Sequence, residues 1–302
     1  MEEQTTGAEG FEEYLKNEVL PLIEENNQLK DKYCGKFWTY LLTILFIVGV
    51  DVLSAFFYAQ MHKTTPNYEQ LILFGVVALS FVYIPIFMYR RQKKHNIFER
   101  FINYYGIWKH QENKEVKLVH SPIIPAHDGV KSAHCVEGTF EGVKTEIRDT
   151  AYLNAKNKTV SSGVVVYLTF PQNFVSTTLL FDKKGFYRKN KYAELECIND
   201  KIQVPAANYF NIFSDDAEVS VRILEDLFLE RVLDMKDVFK AHNLYIEICN
   251  NIIRLYFEGS SLYFDDQKLW SNKVDLNKFK QLNSEFEQTL MFIQLVNGLW
   301  AE

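Results

Sequence analysis

Two long apolar runs stand close together in the first third of the chain and constrain it more than any other feature. Residues 37–59 read FWTYLLTILFIVGVDVLSAFFYA, and residues 71–89 read LILFGVVALSFVYIPIFMY. The second holds no charged residue; the first holds one, Asp51. At about 1.5 Å of rise per residue, roughly 20 such residues cross a hydrocarbon core about 30 Å thick, so each run is long enough to span. The connection, residues 60–70, contains Pro66 and Asn67 and is too short for a domain. The expectation is a two-helix transmembrane hairpin. A secretory signal peptide fits poorly, because the first run starts late, is long and is followed directly by another. Two buried helices of a soluble core are the alternative.

Lysine and arginine near the ends of the runs orient such a hairpin. Lys30, Lys32 and Lys36 precede the first run, and Arg90, Arg91, Lys93, Lys94 and Arg100 follow the second, whereas the connection holds only Lys63. Both termini are therefore expected in the cytoplasm. The juxtamembrane basic residues Arg90, Arg91, Lys93 and Lys94 either only set this topology or also attract anionic headgroups of the bilayer. Trp38, Tyr40, Tyr58 and Tyr89 stand at run ends, where amphipathic rings favour the interface. Asp51 lies eight residues before the end of its run, roughly 12 Å inside. A membrane-embedded carboxylate is expensive. Asp51 is open to being protonated, to bonding Ser54 or Tyr83, to meeting another helix, or to lying shallower. Pro85 is expected to kink the second run by removing a backbone bond.

The rest of the chain reads as soluble. Of the 302 residues 24% are charged, too many for a polytopic membrane protein, and the net charge of −6 argues against a nucleic-acid partner, which needs a positive field. Three regions follow: residues 1–36, a tail and an amphipathic helix; residues 37–95, the hairpin; and residues 96–302, a cytosolic domain. In the first, Phe11, Leu15, Val19 and Leu22 form a helical stripe beside Tyr14 and Ile23, interrupted at Pro21, with an acidic opposite face that suits packing on protein rather than lipid. In the last, a helix is expected over Phe98–His110, then strands. VEGTFEG and VKTEIRD flank a turn at Glu141-Gly142, and VVVYLTF, TTLLF and YFNIF are β-branched and aromatic. LYIEICN and IIRLYFE alternate around Asn250-Asn251, residues that tolerate φ > 0. One long helix is expected from Ser214 to about Phe239, with Val221, Leu224, Leu227, Phe228, Leu233 and Met235 on its apolar side. A last helix, from about Leu276 to Leu299, carries Phe279, Leu282, Phe286, Leu290, Ile293 and Val296. Short turns between strands favour an antiparallel sheet with packed helices, so the fold class is α+β.

Residues with chemical potential are few. His120, His127 and His134 recur every seven residues beside Cys135, and histidine and cysteine ligate zinc. Pro122, Pro125 and Gly129 deprive that period of a helix, so an ordinary loop is expected; were a metal bound, His120, His127 and Cys135 would hold it. Asp215 with Glu218 reads as a capping box at a helix start, although paired carboxylates also serve acid–base chemistry. Tyr263, Phe264 and Trp270 form either an exposed aromatic patch or a lid on the core. Cys34, Cys135, Cys197 and Cys249 include no C-x-x-C pair, which suits reduced thiols. There is no G-x-S-x-G, Gly-rich phosphate loop or H-E-x-x-H. No catalytic residue, metal or cofactor is assigned.

The order of features is familiar. A two-span hairpin is followed by VEGTFEGVKTEIRDT (136–150), then YFNIFSDDAEVSVRILEDLFLERVLDM (209–235), then LYFEGSSLY (255–263). The chain resembles the uncharacterised bacterial family of membrane-anchored domains of unknown function numbered 3137 (DUF3137). Where that family has a proline after the Arg-Ile-Leu position, this chain has Glu225 and Asp226. The resemblance implies an integral protein of a bacterial inner membrane with a cytosolic α+β domain, and it carries over no catalytic residue. Three functions remain open: a non-enzymatic scaffold that binds a protein partner or a second copy; a subunit of a membrane transport or assembly complex meeting another span through Asp51; and a ligand-sensing or enzymatic domain with a pocket near Asp215 or His127.

Overall fold

The protein was analysed as a computed structural model, which describes residues 8–63, 68–92, 97–112, 121–185, 194–262, 269–270 and 273–299. The chain divides into two compact units: residues 1–100 with 264–276, and residues 101–263 with 277–302.

The first unit is helical. α1 (Ala8–Tyr14) runs through one π-helical turn (Leu15–Val19) into α2 (Leu20–His62), 43 residues long. Pro21 does not interrupt the helix. It has no N–H to offer the preceding turn, and the wider π turn just before it absorbs the missing bond. Phe11, Leu15, Val19 and Ile23 are buried as one stripe, continued by Asn26, Lys30 and Tyr33.

Beyond residue 37 α2 is the one described helix long and apolar enough to cross a membrane. The second apolar run is not a matching uninterrupted helix. It forms α3 (Tyr68–Ser80, 13 residues), a 3-10 turn (Phe81–Tyr83) and α4 (Ile84–Gln92, 9 residues), all packed along α2. Pro85 is the cause: its ring excludes the carbonyl four residues back, at Phe81, where the tighter turn begins. The hydroxyl of Ser80 donates to the Val77 carbonyl at 2.6 Å. α2 stops at Lys63, whose φ of 52° is left-handed. The Pro66 connection lies outside the described residues.

α5 (Ile97–Asn103) is shorter than its sequence pattern predicts. Turns follow, with Gly106 at φ 66°, and residues 108–112 become a strand. The second unit is a nine-stranded antiparallel sheet, counted among the described residues, in the order β1-β2-β3-β4-β9-β8-β5-β7-β6. Its strands are β1 (Trp108–Glu112), β2 (Gly129–Phe140), β3 (Val143–Leu153), β4 (Thr159–Thr169), β5 (Thr178–Asp182), β6 (Glu196–Cys197), β7 (Phe210–Ser214), β8 (Asn243–Cys249) and β9 (Ile252–Glu258). The β2–β3 turn has Glu141 at φ 47° and Gly142 at φ 80°, and the β8–β9 turn has Asn250 at φ 52°. Left-handed residues match the twist of a tight hairpin, and glycine and asparagine adopt that conformation most readily.

Leu244, Ile246 and Ile248 of β8 and Ile253, Leu255 and Phe257 of β9 alternate onto one face of the sheet, where helices cover them. Phe239 stacks on Phe257 at 4.1 Å between ring centroids, and Phe286 meets Trp108 edge-on at 5.6 Å. The expected helix from 214 to 239 is two: α6 (Ala217–Ile223) and α7 (Asp226–Val238). Glu225 between them is extended, at φ −63° and ψ 166°. The break resets the helical phase, so Leu227 is 61% exposed while Leu224, Phe228, Leu229, Val232 and Met235 are buried. α8 (Leu276–Leu299) buries Phe279, Leu282, Phe286, Ile293 and Val296 as its periodicity predicts.

Candidate functional site

The opposite face of the sheet carries its chemistry. In β8, Asn243, Tyr245 and Glu247 alternate with the aliphatic residues; in β9, Arg254, Tyr256 and Glu258 do so. The register sets Asn243 against Glu258, Tyr245 against Tyr256 and Glu247 against Arg254. One strand further, Tyr167 of β4 faces Arg254, and Glu146 of β3 faces Tyr167. A transverse row results: Glu146, Tyr167, Arg254, Glu247, with Arg148 beside it. Arg254 pairs with Glu247, which also accepts from the Ser121 hydroxyl at 2.5 Å. Arg148 Nε donates to Glu146 at 2.5 Å. Both guanidiniums lie over the Tyr167 ring, Arg254 at 5.1 Å and Arg148 at 5.4 Å from its centroid. Ile123 and Ile124 pack on the neighbouring Tyr152, Val165, Phe181, Tyr245 and Tyr256.

The row is electrostatically closed, with two cations against two carboxylates. Burial raises the Tyr167 phenol above its ordinary value, and the two arginines oppose that rise. Cys249, whose thiol donates toward Glu247 at 3.7 Å, is pushed up to about 11 by burial and then by that carboxylate. A thiol so held is a poor nucleophile at neutral pH. Further along the same face, Glu258 accepts from Ser161 at 2.8 Å, Asn243 at 2.8 Å and Tyr245 at 3.0 Å. These carboxylates are engaged within the domain and tie neighbouring strands together.

A second set of carboxylates lies against α8. Glu285 is 1% exposed, and its Oε1 accepts from Gln281 at 2.9 Å. Burial pushes it up to about 7. Asp149 of β3 is pushed up to about 6, again by burial, and the Ser261 hydroxyl donating at 2.9 Å opposes this.

Asp51 is exposed on α2, and Arg90 and Arg91 are exposed in the last turn of α4. Lys93, Lys94, His120, Tyr263 and Phe264 lie outside the described residues. Tyr89 is not an exposed interfacial ring: it is fully buried, 6.3 Å from the Tyr33 ring, and donates to Asn26 Oδ1 at 3.2 Å. Trp38, Tyr40 and Tyr58 are exposed. His127 contacts the Pro125 carbonyl at 2.8 Å and the Tyr152 ring at 4.8 Å. His134 instead pairs with His110 of β1, 3.1 Å between ring nitrogens, and the Cys135 thiol donates to Glu146 at 3.0 Å. Among the described residues, no three His, Cys, Asp or Glu side chains are grouped so as to hold a metal ion. The α6 cap is Asp216, not Asp215; it accepts from the Glu218 and Val219 amides, while Asp215 accepts from the Thr177 amide at 2.8 Å. Beside α6 is an open groove of about 480 Å³ lined by Lys201, Ala217, Glu218, Val221 and Arg222. Trp270 is half exposed, its ring edge-on to Phe37 at 4.3 Å.

Residues 159–299, from β4 to the end of α8, match the family described as protein of unknown function (DUF3137). This part of the chain belongs to that family. The matched stretch contains Tyr167, Glu247, Arg254 and Glu285; Glu146, Arg148 and the apolar helices lie outside it. No curated protein matches the chain. Among solved structures, that of the mycobacterial trehalose monomycolate transport factor A, TtfA, is similar at a TM-score of 0.36 and 11% identity, over 63% of this chain and 92% of that one. So loose a superposition carries nothing about activity.

The residues of the charged row escaped the sequence reading. Tyr245, Glu247, Arg254 and Glu258 alternate with aliphatic neighbours, which is also the pattern of a strand with one wet face. Only the tertiary packing, with Ile123 and Ile124 against this face and Glu247 and Arg254 buried, shows that it is covered.

Proposed function

We propose that the protein is a membrane-anchored, non-enzymatic interaction or scaffold protein. A hairpin of α2 against α3 and α4 holds it in a bacterial inner membrane, and the α+β unit of residues 101–263 and 277–302 works at the cytoplasmic face on a protein partner or a second copy. One observation carries the reading. Leu42, Phe46, Leu53 and Phe57 of α2, Ile72, Leu73 and Val76 of α3, and Phe87 of α4 are all exposed. A continuous apolar surface of this kind is costly in water, at about 1.5–3 kcal/mol per large side chain, and comfortable in lipid. The kink at Pro85 does not disqualify the second run, because proline is tolerated in spanning helices. The basic residues before α2 and after α4 favour the cytoplasmic orientation. The internally paired carboxylates of the sheet favour a scaffold over an enzyme.

Alkaline extraction of membranes carrying the full chain tests the anchor, and reporters at the C-terminus and at the Pro66 connection test the topology. Retention in the membrane with a cytoplasmic C-terminus is expected. Release into the supernatant refutes the anchor, and an external C-terminus refutes the orientation. Asp51, exposed on α2, favours a second reading, in which the same anchor is a subunit of a membrane transport or assembly complex.

A further inference from the structure

We propose that Asp51 marks a docking face on α2 for a membrane-spanning helix of another protein that carries a lysine or arginine at matching depth. The inference rests on the anchor reading. Leu41, Ile44, Val48, Ala55 and Ala59 of α2 are the less exposed positions of its apolar half, so they form the side turned to α3 and α4. Asp51 follows Val48 by three residues. At about 100° per residue it projects about 60° to the side of that seam. It is exposed there, and so are Ser54, Tyr58 and, nearer the start of the same run, Tyr40 and Thr43. Asp51, Ser54 and Tyr58 are spaced by three and four, and Tyr40 and Thr43 lie on the same side two turns away with the apolar Ile47 between, so the polar patch is centred on Asp51.

The Tyr58 ring packs on that of His62 at 4.4 Å, but among the described residues Asp51 has no hydrogen bond or ion pair within the hairpin. Among the described residues neither Ser54 nor Tyr83 hydrogen-bonds Asp51, and Tyr83 is itself exposed. Residues 37–61 contain no other charge, and residues 71–89 contain none. The nearest cation along α2, Lys63, is twelve residues on, roughly 18 Å away. A carboxylate at that depth is retained where a partner compensates it. Charge complementarity chooses the occupant. A second copy, inserted in the same orientation about a two-fold axis, would set Asp51 beside its own equivalent, carboxylate against carboxylate. A basic residue on a neighbouring span supplies the missing charge and leaves Ser54 and Thr43 to hydrogen-bond across the seam.

The test uses the full-length protein, dye-labelled at its C-terminus and reconstituted into phosphatidylcholine vesicles. The probe is a labelled leucine–alanine spanning peptide with one central lysine; its control has leucine there. Energy transfer should report at least about tenfold tighter association of the lysine peptide. Asp51→Asn and Asp51→Leu should abolish that preference, and Asp51→Glu should keep it. Equal association of both peptides overturns the proposal, as does a preference that survives in Asp51→Asn. Transfer between two labelled copies of the protein that vanishes in Asp51→Asn makes the second copy the occupant and overturns it too. Flotation of the vesicles separates this from the anchor: protein that stays out of the floating fraction refutes the anchor and the docking face together, whereas floating protein without the lysine preference refutes only the docking face.

Discussion

Replacing Glu285 by glutamine should remove a pH dependence of stability that wild type has between about pH 4.5 and 7. The carboxyl sits on the buried side of α8 and is held at about 7 against an ordinary value of 4.5. Burial is the main cause. The Gln281 amide and then the Lys240 ammonium lower the value, and Asp149 across from it raises it. The native state thus binds the proton more tightly than the unfolded chain. Its contribution is fully present below pH 4.5 and is lost as pH rises toward 7. A difference of about 2.5 in pKa, at 1.36 kcal/mol for each unit, is about 3 kcal/mol. Asp149, held at about 6 against 3.8, adds a loss of the same sign between those two values. For a unit of about 200 residues, 3 kcal/mol corresponds to about 6–12 °C in melting temperature. The assay is thermal unfolding of the full chain in detergent, followed by near-ultraviolet circular dichroism from pH 4.5 to 8. Wild type should melt lower at pH 8 than at pH 5. Glu285→Gln keeps the shape and the bond from Gln281 but cannot ionise, so its curve should be flatter and lie above wild type at pH 8. A variant with the same pH slope as wild type would refute the burial argument.

Three further outcomes follow from the geometry. Arg254→Ala leaves Glu247 buried without its counter-ion and should cost about 3–5 kcal/mol in denaturant unfolding, whereas replacing both residues by apolar ones of similar volume should cost much less; equal losses would mean the pair is not coupled. Gly163→Ala places a Cβ 2.2 Å from the Phe257 carbonyl oxygen across the β4–β9 ladder, so the variant should lose several kcal/mol or fail to fold, and a stability within 1 kcal/mol of wild type would show that the strands part easily. Asp216→Ala removes the acceptor for two free amides of α6 and should cost about 1 kcal/mol, whereas Asp215→Ala leaves that cap intact; hydrogen exchange at Glu218 and Val219 distinguishes them.

Features that depend on neighbouring residues were readable in the chain. The α8 stripe needs only the helical period, and the β2–β3 and β8–β9 turns need only Glu141-Gly142 and Asn250 in left-handed conformations. The break between α6 and α7 was less readable. Ala217 to Val238 keeps an apolar period throughout, and Glu225 is no helix breaker by propensity. Its extended backbone lets Leu224 and Phe228 both reach the core while Leu227 turns outward. At Pro21 and Pro85 the sequence signalled an irregularity, but not that the first would be absorbed by a π turn and the second by a 3-10 turn.

By itself the sequence determined the first long apolar helix, the α+β class and the family of residues 159–299, because these rest on length, alternation and local motifs. Only the tertiary structure decided the chemistry of the sheet. Glu146, Tyr167, Arg254 and Glu247 meet because β3, β4, β9 and β8 are neighbours in one register, and Ser121 reaches Glu247 across 126 positions of chain. Strand alternation places a charge on a face. Whether that face meets water or a covering layer depends on contacts between residues far apart in the chain, which no local pattern encodes.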